Sequence, residues 1–276
     1  MDVDIAHFAT HTRKANMKNP TVITFLLSNI LLLLLLSGCS SQPILLADFD
    51  NDATGNLPDL TLTGDPTGDE ITWSGSTANS SASLAPLKVI ADVNGEAGDN
   101  ILRLFHATSV QAIGSHLGFH ARPTAEPDGI YNVFWDGVIE YPGNRSSQAL
   151  FIAVYRTAQW HAYSLVGLRI YRTPDGPGEG WTSVNVIDQN GPERRIGYIR
   201  EDLPHSGVVV INLDTQKYSL LFGGLSATGD LPSDSTIHRL SLYLSYSPTD
   251  PQDDSSGLGT YYIDNVKMLQ GETDEN

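Results

Sequence analysis

A single cysteine, Cys39, occurs among the 276 residues of this chain. One thiol cannot close an intrachain disulfide, and it cannot supply the several cysteines of a structural zinc site. Basic residues are also scarce, with 16 Lys and Arg against 32 Asp and Glu, which gives a net charge of -16. Nucleic-acid binding requires a basic patch for the phosphates, so we expect no nucleic-acid partner.

The chain has one long apolar run, and it lies just before Cys39. Residues 21–36 are mostly apolar and end in six consecutive leucines, with Arg13, Lys14 and Lys18 upstream. A positive segment, an apolar segment and a small-residue cleavage site are together typical of a secretory signal. The run is 16 residues long, whereas a membrane-spanning helix needs roughly 20 apolar residues. We therefore predict a signal peptide over residues 1–38.

The residues Leu36-Ser37-Gly38-Cys39 resemble the lipobox of bacterial lipoproteins. The resemblance implies cleavage before Cys39 and acylation of this residue, so that several acyl chains anchor the protein stably to a membrane. In Gram-negative lipoproteins, an Asp directly after the lipidated cysteine favours retention in the inner membrane. This chain has Ser40 at that position, so the resemblance implies the outer membrane. Met17 is an alternative start, in which case residues 1–16 are an over-long beginning. The cleaved chain would carry 13 basic and 30 acidic residues, a net charge of -17.

The sequence after Cys39 is patterned as short strands, with apolar and polar residues alternating between clusters of Gly, Pro, Asn, Asp and Ser. From position 240 to 246 the even-numbered residues are leucines and a tyrosine, whereas Arg239, Ser241 and Tyr243 occupy the other face. Residues 208–213 and 217–224 predict a hairpin across a short polar turn. Further candidate strands are 101–105, 116–120, 129–141, 149–155 and 166–171.

No stretch after Cys39 has the three-and-four spacing and the caps that predict a helix. We therefore predict an all-β fold, an antiparallel β-sandwich of the jelly-roll type. One domain is predicted over residues 44–270, preceded by a lipidated tether at 39–43 and followed by an acidic tail at 271–276.

The entering segment 45–52 and the leaving segment 260–268 resemble the first and last strands of carbohydrate-binding modules and of the concanavalin A-like lectin and glucanase group. The hairpin 208–224 resembles the same group. These resemblances imply a jelly-roll fold, and they imply activity much less, because many sugar-binding, lyase and hydrolase families share such strands.

The leaving segment predicts a β-bulge. Tyr261 and Ile263 are odd-numbered, but Val266 and Met268 are even-numbered, so a continuous strand cannot keep both pairs on one face. A bulge at Asp264-Asn265 would restore the register and turn the carboxylate of Asp264 outward.

If the first and last strands pair, Asp50 and Asp264 come together, with Asp48 close by in sequence. Carboxylates and loop carbonyls are the ligands that Ca²⁺ takes, and the resembling modules often hold a structural calcium there. We therefore expect Asp48, Asp50 and Asp264 as calcium ligands; the alternative is a solvated edge with Asp264 capping a turn.

Catalytic patterns are incomplete. His116 and His120 would share a strand face, but the sequence names no third zinc ligand. Asp136 and Glu140 share parity without the further acid of a concanavalin A-like hydrolase, and Asp136 could equally be a turn residue. Gln159-Trp160-His161 matches only one of the three motifs of an alginate-type lyase.

A sugar site on a β-sandwich needs an aromatic ring to stack on the pyranose and polar groups for its hydroxyls. Trp73, Trp160 with His161, and Trp181 are the candidate ligand-binding residues, the alternative for each being core packing. Trp135, within an apolar run, is expected in the core.

The leading hypothesis is a lipid-anchored outer-membrane protein whose jelly-roll domain binds extracellular polysaccharide without catalysis, with a structural Ca²⁺ as the one expected cofactor. The first alternative is a surface polysaccharide lyase or glycoside hydrolase on the same fold. The second is a structural or adhesin-like lipoprotein without a small ligand. The acidic charge favours neutral glycans over anionic ones, unless calcium bridges the two.

Overall fold

The residues described in the computed structural model form fourteen antiparallel strands and no helix. The described residues are 42–47, 49–50, 52–56, 87–92, 99–105, 115–123, 125–141, 149–156, 164–189, 191–246 and 260–271. All of them belong to one compact unit, Ser41–Asn276. Within the part of the chain that is described, no helix has the length and apolarity needed to cross a bilayer.

Eight of the strands make one sheet and six make the other. The eight-stranded sheet contains β1 (Gln42–Ala47), β2 (Leu87–Ala91), β3 (Asn100–Phe105), β5 (Ile130–Tyr141), β10 (Pro204–Asn212), β11 (Lys217–Phe222), β12 (Leu225–Asp230) and β14 (Thr260–Gly271). The six-stranded sheet contains β4 (Ser115–Ala121), β6 (Leu150–Tyr155), β7 (Ser164–Tyr171), β8 (Trp181–Asp188), β9 (Arg194–Arg200) and β13 (Arg239–Tyr246). The prediction of an all-β antiparallel sandwich is confirmed.

The strand order explains how the two sheets are built. The eight-stranded sheet runs β12-β11-β10-β5-β14-β3-β2, with β1 also paired to β14, and the six-stranded sheet runs β4-β13-β6-β7-β8-β9. The predicted hairpin is confirmed as β10 and β11, which pair from Gly207↔Phe222 to Asn212↔Lys217.

The core lies between the inward faces of the two sheets, because alternate residues of each strand point the same way. On β13 the leucines at 240, 242 and 244 are buried in this core, as the alternation predicts. Trp135 is 1% exposed and stacks on Phe222 at a centroid distance of 5.8 Å, so its predicted core position is confirmed.

Strand β14 holds the eight-stranded sheet together. It pairs with β5 along its length, with β3 through its first half and with β1 through its second half. The register slips between Asp264, opposite Asp136, and Lys267, opposite Phe134, so β14 has one extra residue there. Asn265 takes the left-handed conformation that such a bulge requires, with φ of 52°. The predicted bulge is confirmed.

The first and last strands reach slightly beyond the predicted domain of residues 44–270. β1 begins at Gln42, within the segment predicted as a tether, and β14 ends at Gly271. The predicted signal peptide, Cys39 and the tail after residue 271 lie outside the described residues.

Candidate functional site

The outer face of the six-stranded sheet carries the most varied set of polar and aromatic side chains. Because the leucines of β13 point into the core, Arg239, Ser241 and Tyr243 lie on the opposite, outer face. The register places Arg239 opposite Tyr155 and Tyr243 opposite Phe151 on β6. Phe151, Tyr155 and Tyr243 form a second buried apolar cluster with two alanines of the same region.

Two tyrosines meet at the centre of this face. The hydroxyl groups of Tyr155 and Tyr243 share a hydrogen bond of 3.0 Å. The Tyr243 ring lies parallel to the Phe151 ring, with centroids 4.9 Å apart and planes 3° from parallel. Both tyrosines are buried, at 2% and 0% exposure, and their phenol groups are therefore held in fixed positions.

Burial keeps both phenols protonated. Desolvation raises the pKa of Tyr155 to about 12, against a lowering by the Tyr243 hydrogen bond and by the charge of Arg239. Desolvation also raises the pKa of Tyr243 well above its ordinary value, against a lowering by the charge of Arg169. At neutral pH the pair therefore offers O–H donors rather than a phenolate base.

Ser241 lies on β13 between Arg239 and Tyr243. Its side chain is fully buried, and its Oγ has no hydrogen-bond partner in the structure. A buried hydroxyl that makes no hydrogen bond costs about 1–3 kcal/mol, so the position is unfavourable unless a ligand or water completes it. We call Tyr155, Arg239, Ser241 and Tyr243 the tyrosine site.

The face continues across β7 towards solvent. The guanidinium of Arg169 lies over Phe151 at 5.0 Å and over Tyr171 at 5.9 Å from the ring centroids. Arg169 Nη1 donates to Glu193 at 2.8 Å, and the Tyr171 hydroxyl donates to the same carboxylate at 3.0 Å. The Asn185 side-chain amide donates to the Arg169 carbonyl at 3.1 Å. The side chains of Arg169 and Glu193 are 27% and 23% exposed, so water reaches this end.

Trp181, one of the residues predicted to bind ligand, begins β8 on the same outer face. Its neighbour Thr182 is fully buried and Val184 belongs to the core, so Trp181 and Ser183 alternate to the outside. The Arg200 guanidinium lies 5.6 Å from the Trp181 ring centroid. Trp181 is only partly buried.

The other candidate side chains are not placed by the structure. Trp73, Trp160 and His161, like Cys39 and Asp48, lie outside the described residues. The two histidines of β4 are located by register alone, His120 opposite Ser241 and His116 opposite Ser245.

The acidic residues predicted as calcium ligands lie on the other sheet, where the bulge is. The Asp264 carboxylate accepts hydrogen bonds from Asn265, at 2.7 Å from the backbone N–H and at 2.8 Å from the side-chain amide. Burial, with smaller contributions from the charges of Asp99, Asp50 and Asp136, raises the pKa of Asp264 to about 7 against the lowering by the Asn265 backbone hydrogen bond. The charge of Asp50 thus acts on Asp264, and we call Asp50, Asp99, Asp136 and Asp264 the acidic cluster.

The loop after β1 is fixed beside this cluster. The backbone N–H of Asn100 donates to Asp50 Oδ1 at 3.1 Å, and its side-chain amide donates to the carbonyls of Asp50 and Asp52, each at 3.2 Å. The Ser206 hydroxyl donates to Asp136 at 2.5 Å. Among the described residues, no three His, Cys, Asp or Glu side chains converge closely enough to form a ready metal centre.

Asp136 is a strand residue rather than a turn residue, contrary to one interpretation of the sequence. It lies inside β5 opposite Asp264, and it faces the acidic cluster. Glu140 is exposed on the same strand. Both acids therefore belong to the eight-stranded sheet, and neither belongs to the outer face that carries the tyrosine site.

The residues of the tyrosine site were not singled out as candidates from the sequence. The alternation in β13 already placed Arg239, Ser241 and Tyr243 on one face, and this was the available signal. Tyr155 joins them only through the pairing of β6 with β13, which no local pattern encodes.

No family model matches the sequence, and no curated protein matches it. Solved structures, by contrast, do match this chain. The β-glucanase catalytic domain of glycoside hydrolase family 131 from Podospora anserina is 10% identical, with a TM-score of 0.52 over 84% of this chain and 97% of that one. The family 131 catalytic domain from Coprinopsis cinerea is 12% identical, with a TM-score of 0.50 over 84% and 96%.

A variant of alginate lyase Aly36B in complex with an alginate trisaccharide is 14% identical, with a TM-score of 0.45 over 85% of this chain and 99% of that one. At such identities the similarity concerns the fold alone, and carbohydrate-active enzymes and lectins share that fold. The two antiparallel sheets and the family 131 matches together show that this chain has the concanavalin A-like β-sandwich fold.

Proposed function

We propose that this protein binds extracellular carbohydrate on the outer face of its six-stranded sheet. The observation that carries the proposal is the series of aromatic and hydrogen-bonding groups along one face, from Trp181 through Tyr171 and Arg169 to Tyr155 and Tyr243. Aromatic rings stack on the apolar faces of pyranoses, and phenol, amide and guanidinium groups bind sugar hydroxyls.

The residue types on this face favour binding over hydrolysis. Glycoside hydrolysis needs two carboxyl groups flanking the scissile bond, about 5–9.5 Å apart. The four strands β4, β13, β6 and β7 contain no Asp or Glu. Glu193 approaches the face, and its carboxylate is already held by Arg169 and Tyr171. We therefore propose binding without catalysis, with a surface lyase as the alternative that product analysis decides.

Titration calorimetry against a panel of neutral and acidic polysaccharides tests the proposal. We expect binding to at least one polymer, and a loss of about tenfold in affinity for Trp181→Ala and for Tyr171→Ala, because each removes a stacking ring. Lys217→Gln on β11 is the matched control, since this lysine is exposed on the other sheet. Affinity unchanged in both aromatic variants would place the binding surface elsewhere.

The same mixtures separate the alternatives. New reducing ends would indicate a hydrolase, and products absorbing as unsaturated uronates would indicate a lyase. An absence of binding to every polymer would overturn the proposal in favour of a structural or adhesin-like role.

We further propose a structural Ca²⁺ at the acidic cluster. Asp264 and Asp50 would supply carboxylate oxygens, and the loop carbonyls near Asp50 would complete a set of hard oxygen ligands. Calcium should raise the melting temperature of the wild-type protein, and Asp264→Asn should abolish that increase. Equal melting temperatures with calcium and with EDTA would contradict this part of the proposal.

The lipid anchor at Cys39 and the outer-membrane location are likewise proposed, on the resemblance of residues 36–39 to a lipobox. Metabolic labelling with palmitate should mark the wild-type protein and not Cys39→Ser. Fractionation of the envelope should recover the labelled protein with outer-membrane markers, and recovery with the inner membrane would contradict the location.

A further inference from the structure

The charges of this acidic protein are unevenly divided between its two sheets. The charges of Asp50, Asp99 and Asp136, on or beside the eight-stranded sheet, all raise the pKa of Asp264. By contrast, β4, β13, β6 and β7 supply two arginines and no carboxylate, and Glu193, which pairs with Arg169, is a carboxylate that approaches this face. The net charge of -16 for the whole chain therefore does not describe the outer face of the six-stranded sheet.

Building on the carbohydrate-binding function proposed above, we propose that the tyrosine site recognises a carboxylate-bearing sugar, namely a uronic-acid residue of an acidic polysaccharide. The preference for neutral glycans expected from the net charge is thereby reversed for this face. Two arginines, two phenol groups and one buried hydroxyl of this face suit such a ligand.

The two arginines flank the pair of phenol groups. Arg239 lies opposite Tyr155 in the register, and its charge acts on the Tyr155 phenol. Arg169 lies opposite Phe151, and its charge acts on the Tyr243 phenol. A guanidinium binds a carboxylate through two parallel N–H donors, and this charge-assisted contact is about twice as strong as a neutral hydrogen bond.

The hydroxyl groups suit an anionic ligand as well. Both phenols stay protonated, and one of their two protons lies in the hydrogen bond between them, so the pair can donate its other O–H to a carboxylate or to a ring hydroxyl. Ser241 Oγ is fully buried, has no hydrogen-bond partner among the described residues, and lies on β13 between Arg239 and Tyr243. A ligand oxygen would satisfy this hydroxyl.

The burial gradient indicates how a sugar reaches the site. Arg239 is 5% exposed, whereas the Arg169 side chain is 27% exposed at the edge that water reaches. The other three residues of the tyrosine site are at most 2% exposed, so a polysaccharide would meet Arg169 and Tyr171 first, and one sugar unit or a chain end would contact the tyrosine site only after the side chains over it give way.

Calorimetry with polygalacturonate and with its carboxyl-reduced form tests the inference, because the two polymers differ only in the carboxylates. We expect the wild-type protein to bind polygalacturonate about tenfold more tightly than the reduced polymer. Arg239→Gln and Arg169→Gln should each remove most of that difference, with a smaller loss of affinity for the reduced polymer, because each arginine can also bind sugar hydroxyls. Lys217→Gln removes one exposed positive charge from the other sheet and should change neither affinity.

Ser241→Ala provides a variant that keeps the fold even if Arg239→Gln does not, because no described residue is hydrogen-bonded to the hydroxyl it removes. We expect it to weaken polygalacturonate binding while the melting temperature is maintained. Equal affinity for the two polymers, or full discrimination in Arg169→Gln and Ser241→Ala, would overturn the inference and leave carbohydrate binding intact. No binding of either polymer, together with none of the wider panel, would overturn the proposed function itself.

Discussion

The phenolic oxygens of Tyr155 and Tyr243 lie 3.0 Å apart, although 88 positions separate the two residues in the chain. The pairing of β6 with β13 brings them together, and burial among Phe151 and neighbouring small residues fixes their hydroxyl groups. The same hydrogen bond therefore links two strands of the six-stranded sheet and fixes the hydroxyl groups on its outer face.

Removal of one phenol from this pair should destabilise the fold. Tyr155→Phe leaves the buried Tyr243 hydroxyl without its partner, and we expect a loss of about 1–3 kcal/mol in the free energy of unfolding. The double variant Tyr155→Phe/Tyr243→Phe should lose less than the sum of the single variants, because it leaves no orphaned hydroxyl. Denaturant titration measures both. Strictly additive losses would mean that the hydroxyl groups are not coupled.

Asp264 should make the stability depend on pH. Its pKa is raised to about 7 in the folded protein, whereas an unfolded Asp titrates near 3.9, so the folded state retains a proton between these values. The stability contributed by protonated Asp264 is therefore complete below about pH 4 and is lost as the pH rises through 7. Between pH 5 and pH 8, in calcium-free buffer, the wild type should lose on the order of 2 kcal/mol relative to Asp264→Asn. Parallel stability profiles for the two proteins would contradict the raised pKa.

Arg172 and Glu201 form a pair that should be costly to break on one side only. Arg172 Nε donates to Glu201 Oε1 at 2.7 Å, a second nitrogen donates to Oε2, and the Glu201 side chain is 1% exposed. Arg172→Met leaves a buried carboxylate and should cost about 3 kcal/mol, whereas Arg172→Met/Glu201→Met should recover much of the loss. Arg195→Met, which breaks the exposed pair with Asp175, is the control and should have little effect. Denaturant midpoints at one pH decide the comparison.

Gly207 should tolerate no side chain. Gly207 on β10 lies opposite Trp135 on β5, and a Cβ at this position would overlap the indole ring. Gly207→Ala should therefore destabilise the protein by about 2–3 kcal/mol through overpacking. Gly191→Ala is the control, because its Cβ would point into open space. In a Trp135→Phe background the alanine should cost less, and an unchanged cost would show that the indole is not the obstacle.

Most of the fold could be predicted because local alternation reports burial directly. The leucines of β13 and the hairpin of β10 and β11 show the period of two that a half-buried strand requires. The bulge was predictable for the same reason, since the change of parity between Ile263 and Val266 has no other local solution. Strands β2, β8, β9 and β12 were not predicted. Of these, β9 carries three arginines and β12 is mostly polar, so neither of the two shows a clear apolar face.

The candidate site was harder to predict because it is a property of strand pairing. The alternation in β13 predicts its polar outer face, and Trp181 was named from the sequence as a candidate ligand-binding residue. Sequence patterning could not give the contact of Tyr155 with Tyr243 or the position of Arg169 beside them, since these depend on which strands become neighbours. The net charge has a similar limit: a sum over the chain does not show how acids and arginines are divided between two sheets.

The central position of β14 has a consequence for the order in which the molecule can assemble. Residues 260–271 pair with β5, β3 and β1, whose sequence positions lie between about 120 and 230 residues earlier. Contacts this far apart in sequence close late and slow folding. Until residues 260–271 pair with them, β1 and β3 lack the strand that joins them to β5, and the eight-stranded sheet is not complete.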